Sequence, residues 1–579
     1  MSERYDAIVV GLGAVGGIMA EQLTTAGLKV LAFEKGPDYT QDDFEIKQDE
    51  IRYYVRNAIV AGVSTDPVTW RATSSDVAKV LPWSAGPLGT DEPLYGLPSI
   101  GTGGGTVHWG CAAYRFREAD FRMRSAIVER FGAGALPADT TVVDWPITYA
   151  DLEPYYDQAE WEQGVSGRAG NVGGEIRPEG NPFEAPRSRD YPMGPVQQCA
   201  GDHRFVEATQ RLGYHPFRQP LALNTEEYRG RPACVNCGFC HGYPCHVKAK
   251  STTQVTSVPI AKATGNLDVR PFSRVVRIDR DGASGRVCGV TYIGPDGALH
   301  EARAELVILS AYALENVRLL LVSGINANDQ VGRNFMTHNY GWFTSIVPEW
   351  TNPFMGAFNG SSAIDDVTSE LVPDNDAGVL WGSPVISVTG DLQPIEAFHN
   401  MPAKAPRWGA DLKAWLSNNY RRLHRMYSQT TNFPSPRHYC DLDPRVTDRF
   451  GQPALRVTHD WDEHDVRAVE LLGTIKRRIA EEMGALDSWM DAARPPYHLS
   501  THDVGVHRMG EDPATSVTDS YGEVHDCAGL FAIGGGQFPS YGGYNPTLTL
   551  QALAYRSADH LRDRLGAGAA TTSGASGGS

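Results

Sequence analysis

The sequence from Asp6 to Glu34, DAIVVGLGAVGGIMAEQLTTAGLKVLAFE, decides the fold of this chain. It starts with a short apolar run, residues 7–10, whose β-branched side chains predict a buried strand. Three glycines follow in G-x-G-x-x-G spacing, and the apolar pattern of residues 16–25 predicts a helix. Residues 29–33 predict a second strand, which ends at Glu34. The stretch therefore predicts a βαβ unit that opens a Rossmann-type α/β domain.

The three glycines and the acidic residue predict a dinucleotide-binding site. Gly11 permits a tight turn, Gly13 lets a pyrophosphate approach the backbone, and Gly16 allows the helix and the strand to pack closely. The helix N-terminus offers free N–H groups to the phosphates. Glu34 lies 18 residues after Gly16, about where a carboxylate meets a ribose hydroxyl. A purely structural glycine turn is the alternative interpretation, but all parts of the motif stand in the expected order.

Composition and charge restrict the class of protein. The 579 residues can build a large core and more than one domain, and 41% hydrophobic with 21% charged residues is ordinary for a globular protein. A formal charge of −17 argues against nucleic acid or an anionic membrane as a partner. The first strand begins too close to Met1 for a signal peptide, and no run of about 18 apolar residues predicts a membrane span. We expect a cytoplasmic protein, compatible with a monomer.

Patterns along the rest of the chain predict a discontinuous nucleotide-binding domain around a second domain, α/β in class and α+β overall. We assign its first part to residues 1–340, with a polar lid or arm inserted at about 37–98. Strand-like, aromatic-rich residues 341–499 predict a sheet-based second domain, and residues 500–565 return to the first. The small polar residues 566–579 predict a disordered tail.

A second glycine-rich stretch, GTGGGTVHWG, occupies residues 101–110. Consecutive glycines strip side chains from the backbone, as is needed where main chain presses against a flat or phosphorylated ligand. A flexible loop is the alternative interpretation. The apolar Val107 and Trp109 follow at once, which favours packing over solvent.

Two stretches near the C-terminus predict the site of chemistry. Residues 531–550 combine an apolar strand, a triple glycine and Pro546-Thr547, which predicts the start of a helix aimed at an electron-rich ligand. Residues 497–510 contain three histidines, the groups that titrate nearest neutral pH. We predict that one of them is a base near Asn545, although spacing alone does not say which of the three it is. The three histidines are His498, His502 and His507.

Four of the nine cysteines form a C-x2-C-x2-C-x4-C run: Cys234, Cys237, Cys240 and Cys245. An iron–sulfur run has one residue fewer before its last cysteine, and structural zinc usually splits its ligands into two distant pairs. A bound iron–sulfur cluster and plain thiols or a local disulfide both stay open. The odd number of cysteines does not indicate a secreted disulfide framework.

Taken together, these pieces resemble the glucose–methanol–choline (GMC) flavoprotein oxidoreductases. The resemblance rests on the opening βαβ unit and on GTGGGTVHWGCAAYRF, ELVILSAYALENVRLLL, HDVGVHRMG and YGGYNPTLTLQALA. The last two are similar to the pyranose oxidase and bacterial sugar dehydrogenase branch. The resemblance extends from the first strand to about residue 560. It implies FAD rather than NAD, in a discontinuous Rossmann-type domain beside a sheet-based substrate domain.

The resemblance also implies roles for individual residues. It makes His502 the catalytic base and Asn545 its partner, places Val275 near the adenine, and places the second and third glycines of the C-terminal triple glycine at the pyrophosphate. His108 matches the position where fungal pyranose oxidases link the flavin covalently, whereas related bacterial dehydrogenases carry this histidine without the link, so linkage stays open. The cofactor-binding residues predicted in all are Gly11, Gly13, Gly16, Glu34, Thr102, Gly104, Gly105, Thr106, His108, Val275, Gly535, Gly536, Asn545 and Thr547.

The expected reaction is oxidation of a secondary ring hydroxyl, at C2 or C3, of a pyranose sugar or glycoside. The hydroxyl proton goes to His502, the carbon-bound hydride goes to flavin N5, and Asn545 holds the alcohol oxygen. We expect O2 as the acceptor, giving H2O2. The alternative is a dehydrogenase that passes electrons to a quinone or haem partner. An iron–sulfur cluster at Cys234–Cys245 is one route that the electrons could take. A non-enzymatic flavoprotein is a third reading, which His502 with Asn545 disfavours. Candidate aromatic residues for stacking on a sugar are Trp342, Phe343, Trp350, Trp381, Trp408 and Trp415.

Overall fold

A computed structural model describes residues 4–44, 50, 66–80, 99–358, 362–495 and 500–574, with side chains up to residue 565. The helices are α1 Gly16–Thr25, α2 Met123–Phe131, α3 Tyr149–Gln163, α4 Ala200–Arg211, α5 Ser257–Ala263, α6 Ala313–Val322, α7 Pro394–His399, α8 Gly409–Asn419, α9 Glu463–Glu482 and α10 Thr547–Gly574. The strands are β1 Ala7–Val10, β2 Val30–Phe33, β3 Val68–Arg71, β4 Lys79–Val80, β5 Asn171–Val172, β6 Glu175–Ile176, β7 Pro216–Arg218, β8 Leu267–Arg270, β9 Arg274–Arg280, β10 Val287–Ile293, β11 Leu299–Arg303, β12 Leu306–Leu309, β13 Asn339–Tyr340, β14 Phe343–Ile346, β15 Ser362–Ile364, β16 Val385–Val388, β17 Leu423–Tyr427, β18 Gln429–Thr430, β19 Tyr439–Thr447, β20 Pro453–Thr458, β21 Asp487–Met490 and β22 Leu530–Ala532.

A five-stranded parallel sheet, in the order β22-β12-β1-β2-β8, forms the centre of the first domain. Both faces of β1 are covered, as is usual for parallel sheets. Ala7 and Val9 belong to the core that contains α1 and α10, whereas Ile8 and Val10 pack with α6. The predicted βαβ unit is confirmed, with α1 spanning residues 16–25.

A six-stranded sheet, in the order β21-β14-β17-β16-β15-β7, forms the centre of the second domain. Its neighbouring strands pair antiparallel, and α4 and α9 pack against it. The predicted range 341–499 leaves out β7 and α4, which come from residues 200–218. Local patterns could not show this, because pairing between distant segments leaves no local signature.

The described part of the predicted lid or arm contains a short 3-10 helix, Gln41–Phe44, and two strands. β3 pairs with β20 in parallel and with β4 antiparallel, within the sheet β19-β20-β3-β4. Leu455 and Val457 of β20 share a core with Leu314 and Val317 of α6. Residues 439–458 therefore pack with the first domain, although the sequence assigned them to the second. Residues 45–49, 51–65 and 81–98 lie outside the described residues.

The last helix differs from the prediction at its far end only. α10 begins at Thr547, directly after Pro546, as the sequence indicated. It continues to Gly574, so the helix includes residues 566–574 of the stretch predicted as a disordered tail. Extending an existing helix adds one hydrogen bond for each residue fixed, and alanines favour it. Residues 575–579 lie outside the described part. None of the helices in the described ranges is long and apolar enough to cross a membrane.

The contact between α1 and the turn after β1 depends on the absence of a side chain at residue 16. A Cβ atom on Gly16 would lie 1.8 Å from the carbonyl oxygen of Gly11 and 2.5 Å from Oγ of Ser310. We expect Gly16→Ala to lower the free energy of unfolding by at least about 1–3 kcal/mol, because strand and helix must separate. Guanidinium denaturation measures this.

The matched control is Gly282→Ala, since a Cβ atom there would have nothing within 4 Å. Equal stability of the two variants would contradict the close approach of α1 to β1.

Candidate active site

A cavity of about 480 Å³ lies between the parallel sheet and the six-stranded sheet. One part of its wall follows the carboxyl ends of β1, β2 and β12, which is where open α/β sheets bind their ligands. Another part comes from the second domain and contributes Tyr340, Trp342 and Tyr427. A loop and the N-terminus of α10 contribute His502, Asn545 and Thr547.

The two glycine-rich stretches meet in this cavity. A Cβ atom on Gly104 would lie 3.0 Å from Cα of Gly13, so the two backbones are in close contact. Gly11 has a φ of 90°, and a Cβ atom there would lie 2.9 Å from the carbonyl oxygen of Ser310. At Gly105 and Gly534 a Cβ atom would meet nothing within 4 Å. The result is a cradle of bare backbone.

Most of the predicted site residues line the cavity. Gly16, Thr102 and Gly536 do not: Gly16 packs under the first turn, Thr102 donates a hydrogen bond to Asp38 (2.7 Å), and a Cβ atom on Gly536 would meet the ring of His507. The structure places twelve of them on the wall: Gly11, Gly13, Glu34, Gly104, Gly105, Thr106, His108, Val275, His502, Gly535, Asn545 and Thr547. Their individual roles stay predictions.

Glu34 does more than the sequence suggested. Its Oε2 accepts a hydrogen bond from the backbone N–H of Leu12 (3.1 Å). Its Oε1 accepts from the backbone N–H groups of Gly36 (3.0 Å) and Gly101 (2.9 Å). One buried carboxylate thus joins the turn after β1 to the second glycine-rich stretch.

His108 is held from one side only. Its Nε2 lies 2.8 Å from the Ser99 hydroxyl, while its buried Nδ1 has no hydrogen-bond partner in the described ranges. Burial lowers the pKa of His108 to about 3, with Lys250 adding to the effect. Lys250 Nζ donates to the carbonyl oxygens of Val107, Cys240 and Tyr243, so it fixes the second glycine stretch to the cysteine run.

None of the four cysteines of the run forms a disulfide bond. Burial raises the pKa of Cys234 to about 12 and that of Cys240 to about 11. Within the part of the chain that the structure describes, no three His, Cys, Asp or Glu side chains are grouped so as to hold a metal ion. The run reaches the cavity through His241, which stacks on Phe358 with the ring centres 4.4 Å apart.

His502 and Asn545 stand in one hydrogen-bonded network. His502 Nδ1 lies 3.0 Å from Nδ1 of His338 and 3.1 Å from the Tyr340 hydroxyl. Gln429 Nε2 donates to Asn545 Oδ1 (2.9 Å), and Asn545 Nδ2 makes a longer bond back to Gln429 Oε1 (3.5 Å). Asn545 also hydrogen-bonds the side chain of Tyr427, and it lines the cavity, where its amide nitrogen is a donor group. Burial lowers the pKa of His502 to about 3, so its imidazole is neutral near pH 7.

The other two histidines of residues 497–510 take no comparable position. His507 is buried beside Asn316 (Nε2–Nδ2 3.4 Å) and does not line the cavity. His498 lies outside the described residues.

Several wall residues carried no usable sequence signal. His241, Tyr340, Phe358 and Tyr427 reach the cavity through tertiary contacts, not through a local motif. Of the six aromatic residues proposed to stack on a sugar, only Trp342 lines it. The other five are placed elsewhere: Trp350 and Trp408 are 57% and 84% exposed, Phe343 and Trp381 are buried in hydrophobic clusters, and Trp415 is partly buried in another.

Sequence comparison adds to this geometry. Two sequence profiles described as GMC oxidoreductase match residues 147–340 and 434–554. The gluconate 2-dehydrogenase flavoprotein of Pantoea cypripedii is 32% identical over 97% of this chain and 94% of its own length. The chain belongs to the GMC oxidoreductase family.

Two further comparisons cover most of the chain. Paromamine 6'-oxidase of Streptomyces fradiae is 28% identical over 96% of this chain and 90% of its own length. A solved structure of a variant of the formate oxidase of Aspergillus oryzae RIB40 superposes with a TM-score of 0.62 at 14% identity, over 97% of this chain and 98% of that one. The predicted family and fold are both confirmed.

This GMC oxidoreductase is an FAD-dependent enzyme acting on CH–OH groups. The cradle of Gly13, Gly104, Gly105 and Gly534 fits a pyrophosphate and a flat ring, because each leaves backbone without a side chain in the way. Val275 and Glu34 also line the cavity, and their contact with the adenosine stays a prediction. Bound FAD supplies the hydride acceptor, and the protein supplies position and electrostatics.

The three hydrogen bonds to Glu34 predict the effect of one substitution. In Glu34→Gln the amide has a single acceptor oxygen, so at least one of the N–H groups of Leu12, Gly36 and Gly101 faces an NH2 group. We expect a loss of about 1–3 kcal/mol in stability and a lower FAD content, measured from the ratio of flavin to protein absorbance. Glu305→Gln, at an exposed carboxylate, is the matched control. Full FAD content in Glu34→Gln would contradict this role.

Proposed function

We propose that this GMC oxidoreductase oxidises a secondary ring hydroxyl, at C2 or C3, of a neutral pyranose sugar or glycoside, and that O2 accepts the electrons. The observation that carries the proposal is the pairing of a neutral imidazole with an amide donor, His502 and Asn545, on one cavity wall. A neutral imidazole accepts the hydroxyl proton, and an N–H group of the amide hydrogen-bonds the alcohol oxygen and holds the carbon in place.

The distribution of charge supports a neutral substrate. The only cationic side chains on the described wall are Lys35 and Arg274, and both pair with Asp66. They belong to the part of the wall that follows β2 and begins β9. Around His502 the wall carries aromatic rings and the imidazole of His241, whose pKa burial lowers. The one carboxyl next to it, Asp503, has a pKa that burial raises to about 7, so this part of the wall adds no cation for an acid to pair with.

One further cationic side chain, Arg425, lies close to the aromatic wall but is already paired with a carboxylate. The Arg425 guanidinium lies 4.1 Å from the ring centre of Trp342 and forms an ion pair with Asp391. A substrate carboxylate next to Trp342 would therefore lose its water without gaining a free cation, which costs several kcal/mol. The wall disfavours sugar acids on this ground.

The relatives support the chemical class and leave the acceptor to experiment. Paromamine 6'-oxidase is named as an oxidase, in line with O2. The second candidate is a sugar dehydrogenase, because the gluconate 2-dehydrogenase flavoprotein is named as a dehydrogenase and the cysteine run contacts the cavity through His241. Both candidates share the alcohol-oxidation step and differ only in where the electrons go.

The visible spectrum tests substrate class and acceptor together. The holoenzyme is mixed without air with D-glucose, methyl β-D-glucoside, methyl β-D-glucuronide and gluconate. We expect the flavin bands to bleach with the neutral sugars at least about tenfold faster than with the acids, since an unpaired buried carboxylate is costly. Rapid return of the bands in air, with peroxide formed, supports the oxidase. Bands that return only with a quinone support the dehydrogenase, and faster bleaching by either acid contradicts the neutral substrate.

Removing the proposed base gives a separate prediction. We expect His502→Ala to lower the rate of flavin reduction at saturating sugar by at least about 100-fold, with FAD still bound. His300→Ala, at a histidine on β11 outside the cavity, is the control. Wild-type turnover in His502→Ala would contradict the assignment.

The pH profile of the wild-type enzyme tests the same group. Because burial lowers the pKa of His502 to about 3, the neutral base is present above that value and is lost only as the pH falls toward it. We therefore expect His502 to cause no acid limb in the rate of flavin reduction between pH 8 and pH 5. Burial raises the pKa of Asp503, which also lines the cavity, to about 7, so the profile is measured in Asp503→Asn as well. A limb at about 6.5 in that variant, the pKa of an ordinary histidine, would contradict the effect of burial on His502.

A further inference from the structure

We infer that His338 is the positioning residue that fixes which ring nitrogen of His502 carries the proton, and so leaves Nε2 as the acceptor atom. This inference rests on the proposed role of His502 as the base. His338 is 1% exposed and precedes β13 directly. It does not line the cavity, so it acts through His502 and not on the substrate.

The backbone of Gly542 sets the tautomer of His338. His338 Nε2 lies 2.8 Å from the carbonyl oxygen of Gly542. A carbonyl oxygen only accepts hydrogen bonds, so Nε2 of His338 carries a hydrogen. Burial and the neighbouring His502 lower the pKa of His338 well below its usual range, so the ring is neutral and its Nδ1 carries a lone pair.

The lone pair of His338 then sets the tautomer of His502. The two Nδ1 atoms are 3.0 Å apart, so His502 Nδ1 must be the donor. A neutral imidazole carries one N–H only, and therefore His502 Nε2 has the free lone pair. In the described ranges Nδ1 of His502 has two hydrogen-bond partners and Nε2 has none, and the ring lines the cavity. Nε2 is thus the atom that can accept a hydroxyl proton.

The position of the His338 ring is itself enforced. The ring stacks on Tyr541, with centres 4.0 Å apart and planes within 11°, and the Tyr541 hydroxyl lies 3.2 Å from His338 Nδ1. The side chain of Gln429 hydrogen-bonds His338 and also donates to Asn545 Oδ1. The base and its amide partner are therefore joined through His338 and Gln429.

Without His338 the opposite tautomer becomes available. The Tyr340 hydroxyl, 3.1 Å from His502 Nδ1, can then donate to that nitrogen. The proton of neutral His502 would move to Nε2, and the atom facing the cavity would no longer accept a proton. A wrong histidine tautomer of this kind is known to cost serine proteases about 10⁴-fold in rate.

The first test is spectroscopic and needs no substrate. Holoenzyme labelled with ¹⁵N in histidine is compared with His502→Ala, whose missing signals identify the His502 ring. We expect the Nε2 signal of His502 in the range of an unprotonated imidazole nitrogen in the wild type, and in the protonated range in His338→Leu. A protonated Nε2 in the wild type overturns the inference, whether or not the His338 variant folds.

The second test is kinetic, with methyl β-D-glucoside or D-glucose, whichever reduces the flavin faster. We expect His338→Leu to slow flavin reduction at saturating sugar by at least about 100-fold, with less than about threefold change in KM. His338→Asn places an amide oxygen where Nδ1 stood and should recover most of the rate at equal FAD content. Equal losses in both variants would indicate a structural role only and overturn the inference.

Different results would contradict the role of His502 as the base and the role of His338 as its positioning residue. If His502→Ala keeps its rate, the proposed base is wrong. If His502→Ala is inactive and His338→Leu reduces flavin at the wild-type rate, only the role of His338 is wrong. In the His502→Ala background, His338→Leu should cause no further loss, because the two residues act as one unit.

Discussion

The close approach of two bare backbones is the constraint on which the rest of the site depends. The turn after β1 and the stretch at residues 101–110 come from distant parts of the chain and meet at Gly13 and Gly104. A Cβ atom on Gly104 would lie 3.0 Å from Cα of Gly13 and press the two stretches apart, whereas one on Gly13 would lie at an ordinary 3.9 Å from Cα of Gly104. The Glu34 carboxylate holds the two stretches together by accepting hydrogen bonds from backbone N–H groups of both. This contact thus rests on one buried carboxylate and on the absence of a side chain at Gly104.

The part of the cavity around His502 differs from the part around Glu34. Ion pairs line the end that follows β2, where Lys35 and Arg274 meet Asp66. Near His502 the wall has aromatic rings, the imidazole of His241 and the Asp503 carboxyl, whose pKa burial raises to about 7. Burial of this kind weakens the charged form of every group in it. The neutral imidazole of His502 can accept a proton. An anionic ligand would find no unpaired cationic side chain on the described wall near it. In the proposed reaction one physical cause, desolvation, therefore sets both the protonation state of His502 and the preference for a neutral substrate.

The sequence predicted features that form within one short segment. It did not predict features that form by contact between distant segments. The βαβ unit, the start of α10 and the glycine stretches follow from patterns within about twenty residues. The tertiary pairing of β3 with β20 and of β7 with β15 could not be predicted, since either strand alone is a short, ordinary segment. The same holds for His338. His338 approaches Gln429 because Tyr340 and Gln429 pair across β13 and β18. The local sequence of either strand does not indicate that register.

The low pKa of His502 has a consequence for the order of events. A ring whose pKa is about 3 binds a proton weakly, so a full transfer from an alcohol to His502 ahead of the redox step would be strongly uphill. We infer that the proton leaves the hydroxyl while the carbon-bound hydrogen departs, because the growing carbonyl makes the hydroxyl more acidic as that bond breaks. The protein then contributes by holding the lone pair of His502 Nε2 in position during that step. His338, Tyr340 and Asn545 are arranged for position and tautomer, and none of them raises the basicity of the ring by an ionic charge.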